Sequence, residues 1–299
     1  MYPVWSEFAL STNLRGSEVA RKLRRYTKIR GKRYLDIGCA YGGYPIAFAA
    51  KGAEAVGIDI NGHLLAVAAE NVKDQRASVL LLERDVTKSD QIRDLGLFDI
   101  ITCNDLIEHV EDVATTFRNI ALLLRPGGLL FMEIPNAWSV GQVLKDGHYG
   151  LFGITLLPRS DAIRYFLESG YNGEYGVGHF HRLDEYVGFL EGHGIHLHGG
   201  KITNSYEQPD GRVHRVREAL PAIRATLEAH LGREGLSSES KGALSLATEE
   251  FLQEAGASLA AYETISDATL RRTLGQGLAR SYEIEFWELI GLKGAQSLS

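Results

Sequence analysis

From residue 33 to residue 134, short runs of β-branched and other apolar residues alternate with stretches whose apolar positions recur every three or four residues. Arg33–Gly38, Glu54–Asp59, Ser78–Asp85, Phe98–Cys103 and Gly128–Ile134 predict strands, and the near absence of polar positions in several of them fits a parallel sheet covered on both faces. Tyr44–Lys51, Gly62–Asn71, a short piece near Lys88–Leu95, and Asp112–Leu124 predict helices. Strand–helix alternation of this kind implies an α/β fold with a doubly wound sheet, right-handed crossovers and helices on both faces. Arg125-Pro126-Gly127-Gly128 reads as a turn that ends the fourth helix and launches the fifth strand.

After Pro135 the pattern loosens. Residues 136–182 hold many glycines and aromatics, among them Asn136-Ala137-Trp138, His148-Tyr149, Phe152, Tyr171 and Tyr175, and only Ser160–Ser169 is clearly helical. A segment this long with little regular pattern suits an acceptor-side insert or lid. A helix at Asp184–Gly192 and a strand at Ile195–Thr203 restore order. Helical periodicity then dominates at Val213–Leu231, Glu239–Glu254 and Ile265–Leu292, with Gly232–Ser238 as a break. The expected organisation is an N-terminal helical segment (1–30), a core (31–204) containing the 136–182 insert, and an α-helical C-terminal appendage (205–299).

Composition narrows the class. The 299 residues are 44% hydrophobic, which is ample for a core and excludes disorder. No apolar run approaches the roughly 18 residues of a membrane span, and the N-terminus lacks a signal pattern, so a cytoplasmic location is expected. Cys39 and Cys103 are too few for a disulfide scaffold and lack zinc or redox spacing. The 33 glycines are uneven: six fall in residues 31–60 and ten in residues 151–200.

Charge is uneven too. Residues 15–33 carry nine Lys or Arg against the single acid Glu18, a local +8 in a chain of net −6, so the remainder holds −14. Val19, Leu23 and Tyr26 recur there at helical spacing, which predicts a helix packing one stripe on a core and turning a basic face to solvent.

The densest chemistry lies in Tyr34-Leu35-Asp36-Ile37-Gly38-Cys39-Ala40-Tyr41-Gly42-Gly43, a strand that ends in a glycine-rich turn opening a helix. Small residues at 38, 40 and 42 allow close backbone approach and positive φ, at the carboxyl edge where such sheets bind ligands. Dinucleotide-binding folds use a related turn. Asp36, two residues ahead of Gly38, would repel a diphosphate but meet an amine or hydroxyl. Asp59 closes the second strand, placed to accept from a ribose diol, and Asp85-Val86 closes the third, suited to an adenine edge and face.

Over residues 30–203 the sequence resembles the class I S-adenosylmethionine-dependent methyltransferases, most strongly at Leu35–Gly43, Gly57–Ile60, Asp85-Val86, Phe98–Val110 and Leu124–Ile134. Cys103-Asn104-Asp105-Leu106-Ile107-Glu108-His109-Val110 followed by Leu124-Arg125-Pro126-Gly127-Gly128 is similar to the small-molecule group that includes ubiquinone-pathway O-methyltransferases. The resemblance implies a Rossmann-like, mostly parallel seven-stranded sheet and S-adenosylmethionine as cofactor. It implies that Asp36, Gly38, Cys39, Ala40 and Gly42 hold the methionine end, Asp59 and Ile60 the ribose, and Asp85 with Val86 the adenine, with Asn104 beside the sulfonium. Ala40 stands where the group usually has Gly.

A hydroxyl acceptor benefits from a base, and histidine supplies one near neutral pH. His148 stands in Lys145-Asp146-Gly147-His148-Tyr149-Gly150, similar to pieces of methyltransferase-like proteins linked to surface-glycan pathways, and is the leading candidate. His109 either faces the cleft or fixes its loop. His179 and His181, in Gly178-His179-Phe180-His181-Arg182-Leu183, either act on a proton or tie a loop ahead of a helix. On a helix Asp105, Glu108 and His109 would share a face and could hold Mg²⁺, and His196 with His198 would share a strand face, but a capped helix start and a half-exposed edge explain these equally, and no metal is expected.

There is no Asn/Asp-Pro-Pro-aromatic motif for base amines and no Pro-Cys nucleophile for cytosine C5. The leading expectation is therefore O-methylation of a sugar, glycan or other small metabolite. An RNA-directed methyltransferase using residues 15–33 and a non-catalytic scaffold working through its helical tail are the alternatives. The C-terminal helices offer a surface for a homodimer.

Overall fold

The computed structural model describes residues 3–198 and 209–294. They form two compact units, Met1–Ile134 with Asp184–Gly200 and Glu288–Ser299, and Pro135–Leu183 with Lys201–Trp287. Among the described residues no helix is long and apolar enough to cross a membrane.

The first unit is built on β1 (Arg33–Ile37), β2 (Glu54–Asp59), β3 (Val79–Glu83), β4 (Phe98–Asn104), β5 (Leu124–Pro135), β6 (Ile195–Leu197) and β7 (Phe286–Lys293). They form one seven-stranded sheet in the order β3-β2-β1-β4-β5-β7-β6. The pairs β1–β2, β1–β4, β2–β3 and β4–β5 are parallel, and β6 runs antiparallel to β7. The order reverses at β1, between β2 and β4, which opens a crevice at the carboxyl ends of those strands.

The connections are α1 (Pro3–Leu23) before β1, α2 (Gly43–Ala49), α3 (Gly62–Asp74), the single turn α4 (Ser89–Ile92), and α5 (Val113–Leu123). Val19, Ala20 and Leu23 of α1, together with Tyr44 and Phe48 of α2, pack on Tyr34, Ile100, Leu129, Phe131 and Ile290 of the sheet. The Phe48 ring lies flat on Tyr34 at 3.8 Å. The two helices can cross closely because both carry glycine at the contact: a Cβ on Gly16 would fall 2.5 Å from the Gly43 carbonyl oxygen.

Two readings of the sequence are corrected here. Arg125-Pro126-Gly127-Gly128 is a bulge inside β5, where the ladder jumps from Phe98–Leu124 to Ile100–Leu129 and Gly127 takes φ +74°. The helix expected over Ile265–Leu292 ends at residue 278, and Phe286–Lys293 is the strand β7, lying between β5 and β6. A short apolar run interrupted by a single acid carries too little period to be told from helix by pattern alone. Ile290 joins the core beneath α1, and Glu288 pairs with Lys22. The strand expected at Ile195–Thr203 is seen at Ile195–Leu197, and residues 199–203 lie outside the described residues.

The second unit contains α6 (Val140–Leu144), α7 (Arg159–Glu168), α9 (Pro209–Leu231), α10 (Ser238–Thr264) and α11 (Ala268–Leu278); α8 (Leu183–Gly192), between α7 and α9, returns the chain to the sheet unit. Its core joins Val143, Phe152, Tyr165 and Phe166 to Val216, Ile223, Leu244, Phe251 and Tyr262. The aromatics of the 136–182 insert are largely part of this core: Phe152 and Tyr175 are buried, and the rings of Tyr149, Phe166, Tyr171 and Tyr175 pack on one another at 4.7 to 5.6 Å.

Candidate functional site

At the carboxyl edge of β1, β2 and β3, a cavity of about 380 Å³ is lined by Gly38, Asp59, Ile60, Asp85 and Val86, together with Ile37, Ile58, Arg84, Thr87 and Lys88. The segment after β4 closes it with Leu106, His109, Val110, Glu111 and Asp112. Five of the ten residues expected to hold a cofactor thus line one cavity.

The other five are not in its lining: Cys39, Ala40 and Gly42 lie in the turn after β1, Asp36 within β1 and Asn104 at the end of β4. The turn from Gly38 to Gly42 is left-handed at three positions, with φ +75° at Gly38, +42° at Ala40 and +78° at Gly42. A Cβ at Gly38 would also press on the Leu106 side chain at 3.1 Å. Asp59 holds this turn to β2. Its Oδ2 accepts from the Ala40 amide at 2.8 Å and its Oδ1 from the Asn61 amide at 2.9 Å. Cys39 turns its side chain inward, its Sγ filling the space beside Gly57, so only its backbone can face a ligand. Asp85 accepts from the Thr87 amide and hydroxyl at 2.8 and 2.6 Å, which fixes it at the rim.

Asp36 lies beneath the turn and is 3% exposed. The Thr102 hydroxyl donates to its Oδ1 at 2.5 Å and is itself bonded to the Tyr34 hydroxyl. Burial pushes the Asp36 carboxyl up to about 7, with Thr102 and Arg15 opposing the rise and the charge on Asp59 adding to it. At the tip of β4, Asn104 is buried, and neither its Oδ1 nor its Nδ2 has a hydrogen-bond partner among the described residues. Such atoms cost roughly 1–3 kcal/mol each when left unpaired, so they mark a place where a ligand completes the bonding. The next residue, Asp105, is left-handed at φ +49°.

Arg15 went unrecognised as a site residue in the sequence. It comes from the basic segment but points inward, pairing with Asp105 and lying 4.0 Å from Glu133. Its position four residues before Val19, on the stripe that faces the core, is the signal that distinguishes it from its basic neighbours. Burial, then Asp105, lift Glu133 to about 7 against the opposing pull of Arg15, and burial holds Glu108 well above the ordinary carboxylate range.

Asp105, Glu108 and His109 do not share a helical face: Ile107–His109 is a single 3-10 turn, and Asp105 stands outside it, engaged by Arg15. Of the expected bases, His109 lines the cavity, with Nε2 3.8 Å from Glu108. His148 and His181 belong to the second unit. Buried Asp146 accepts from the amides of His148, Tyr149 and Leu151 at 2.7 to 3.0 Å and stands 3.7 Å from His148 Nδ1. His181 packs edge-on against His179, ring centres 4.8 Å apart.

A switch-point cavity holds a glycine turn locked by Asp59 at the end of β2, with a further acid, Asp85, after β3. The chain belongs to the methyltransferase domain family, whose sequence profile matches residues 12–197, and its cofactor is S-adenosylmethionine. The ubiquinone biosynthesis O-methyltransferase of Coxiella burnetii is 36% identical over 108 residues, 36% of this chain and 45% of that protein. The protein of the same name from Pseudomonas aeruginosa is 36% identical over 109 residues, again 36% of this chain and 46% of the relative. The matches thus span less than half the length of these curated relatives. An S-adenosylmethionine-dependent methyltransferase from Mesorhizobium loti shares the fold with a TM-score of 0.50 at 16% identity, covering 93% of this chain and 98% of that one.

The residues present fit the cofactor. The left-handed turn at Gly38 and Gly42 leaves the backbone open to close approach, and Asn104 has unpaired polar atoms at the adjoining strand tip.

Proposed function

We propose that this chain is an O-methyltransferase acting on a hydroxyl of a sugar, glycan or other small metabolite. The observation that carries the hydroxyl acceptor is the 36% identity, over 108 residues, to a protein named as an O-methyltransferase. When bound, S-adenosylmethionine supplies an electrophilic methyl carbon on its sulfonium.

In this reading Asp59, fixed by two backbone amides, presents its remaining lone pairs to the ribose hydroxyls. Asp85 and Val86 take the adenine, Ile60 covers the rim, and Asp36 receives the amino group. Cys39, Ala40 and Gly42 contribute backbone, and Asn104 gives its amide to the methionine end. His148 takes the proton from the acceptor hydroxyl. Support for that assignment is Asp146, whose carboxylate stands on the Nδ1 side of the ring and favours the imidazolium formed on proton uptake. His109 and His181 are the other two candidates for the base.

The test is transfer of labelled methyl from S-adenosylmethionine to panels of phenols, sugars and amines, with His148→Asn, His109→Asn and His181→Asn beside the parent. The expected result is a methyl ether, with His148→Asn lowering kcat by about 10²–10³ and leaving cofactor affinity unchanged. Methylation confined to amines, or full activity in His148→Asn, would overturn the corresponding part of the reading.

A further inference from the structure

Helix α1 has two charged populations that the structure separates. Arg15 and Lys22 turn toward the sheet and pair with Asp105 and Glu288, while farther along Lys32 and Arg33 pair with Asp99 and Glu54. Arg21, Arg24, Arg25, Lys28 and Arg30 are exposed, and none of the five forms an ion pair with a described residue. On the same helix Leu10 is 89% exposed and Leu14 64% exposed.

The two leucines and Arg21 share a face of α1, and Lys28 and Arg30 follow beyond its end. Leu10, Leu14, Ser17 and Arg21 stand at i, i+4, i+7 and i+11, so they stack along one side. The Arg24 amide still bonds to the Ala20 carbonyl, which carries that side one turn further. The opposite side, with Val19, Ala20 and Leu23, is buried in the core. The outward face therefore presents two exposed leucines, followed by a cluster of cations that pair with no described residue.

We infer that the outer face of α1 docks on an anionic phospholipid surface, with Leu10 and Leu14 entering the headgroup region and the five basic residues meeting lipid phosphates. Charge complementarity selects an anionic partner: the local excess of base sits in a chain that is net negative elsewhere. The leucines select lipid over RNA. A nucleic-acid backbone is met by cations and by ring stacking, and gains nothing from aliphatic side chains at the end of the patch. An interfacial helix uses both together.

Co-sedimentation of the full chain with vesicles tests this, using phosphatidylcholine alone and phosphatidylcholine containing about one-third phosphatidylglycerol. The anionic vesicles are expected to bind at least tenfold better at low salt. Each cation near such a surface contributes about fivefold, so R21Q/R24Q/R25Q should lose about 100-fold. L10S/L14S, with the charge intact, should lose about tenfold or more. Cofactor affinity reports folding in both variants, because none of the five positions lines the cavity. Equal binding to neutral and anionic vesicles would overturn the inference, as would a leucine variant that binds normally. A short single-stranded RNA bound more tightly than the vesicles, through the arginines and independently of the leucines, would replace lipid by nucleic acid.

Discussion

The two units differ in where they bury acids and strain the backbone. Along the carboxyl edge of the sheet, Asp36, Asn104 and Glu108 are buried, and two non-glycine residues, Ala40 and Asp105, are held left-handed. In the second unit the buried polar groups are mainly neutral, among them Asn136, Gln142 and Thr248, with Arg212 paired to Glu283, and Arg–Glu pairs such as Arg217–Glu263 and Arg224–Glu249 are exposed. Buried acids and positive φ both cost free energy, and their concentration at one sheet edge is the mark of a binding site. The second unit, Asp146 beside His148 excepted, reads as packing.

The sharpest way to break this contrast is one substitution in each region. Phe166, 1% exposed and stacked among Tyr149, Tyr171 and Tyr175, belongs to packing alone. Phe166→Ala should cost about 3–5 kcal/mol in urea denaturation while leaving cofactor affinity, measured cold and without denaturant, within threefold. Asp59→Ala should do the reverse. It removes the acid that ties Ala40 to Asn61 and faces the cavity, so calorimetry should show cofactor affinity falling about 100-fold. A variant of Phe166 that lost cofactor binding while remaining folded, or an Asp59 variant that kept it, would erase the distinction.

The same contrast explains what could be seen in the sequence. Gly38, Gly42 and Asp59 announce themselves because each is constrained by backbone geometry close by in the chain, and five of the expected cofactor residues meet in one cavity. Arg15 and Leu106 reach the site through tertiary packing, so no local motif marks them. Strand β7 was hidden for another reason. Phe286-Trp287-Glu288-Leu289-Ile290 follows directly on a helical stretch, and an apolar residue at exposed Phe286 with consecutive apolar Leu289 and Ile290 blurs the alternation that identifies a strand. Its aromatic residues and Gly291 were the available evidence against helix. Likewise the burial of the insert's aromatics was hidden, because composition does not reveal that they face one another.

A smaller effect concerns the acid beneath the glycine turn. Asp36 titrates at about 7 in the folded chain, raised from an ordinary value near 4, so its contribution to stability is greatest below pH 4 and is lost as the pH rises through 7. A bound cationic amine beside it favours the ionised form, so binding should release a proton and tighten as Asp36 ionises. Affinity for S-adenosylmethionine should rise about fivefold from pH 6 to pH 7, below the range where an α-amino group deprotonates. Asp36→Asn should flatten the profile, leaving the share due to Glu133, which also titrates at about 7. A flat profile in the parent chain would place the amine elsewhere.

The smallest predicted effect uses one substitution twice. Ala40 holds φ +42° because its amide is drawn to Asp59, a conformation in which its methyl group is crowded. Glycine removes that crowding but gives the unfolded chain more freedom, and the two together leave a net gain of about 0.5–1 kcal/mol for Ala40→Gly. Ala162 lies in α7, 1% exposed and in ordinary helical backbone. There the same change loses about 1 kcal/mol of helix propensity, and more for the methyl group taken from the core. Denaturation curves should therefore move in opposite directions, Ala40→Gly upward with cofactor affinity within twofold and Ala162→Gly downward. If both fell, the turn would not be strained, and the sheet edge would differ from the second unit in its buried acids alone.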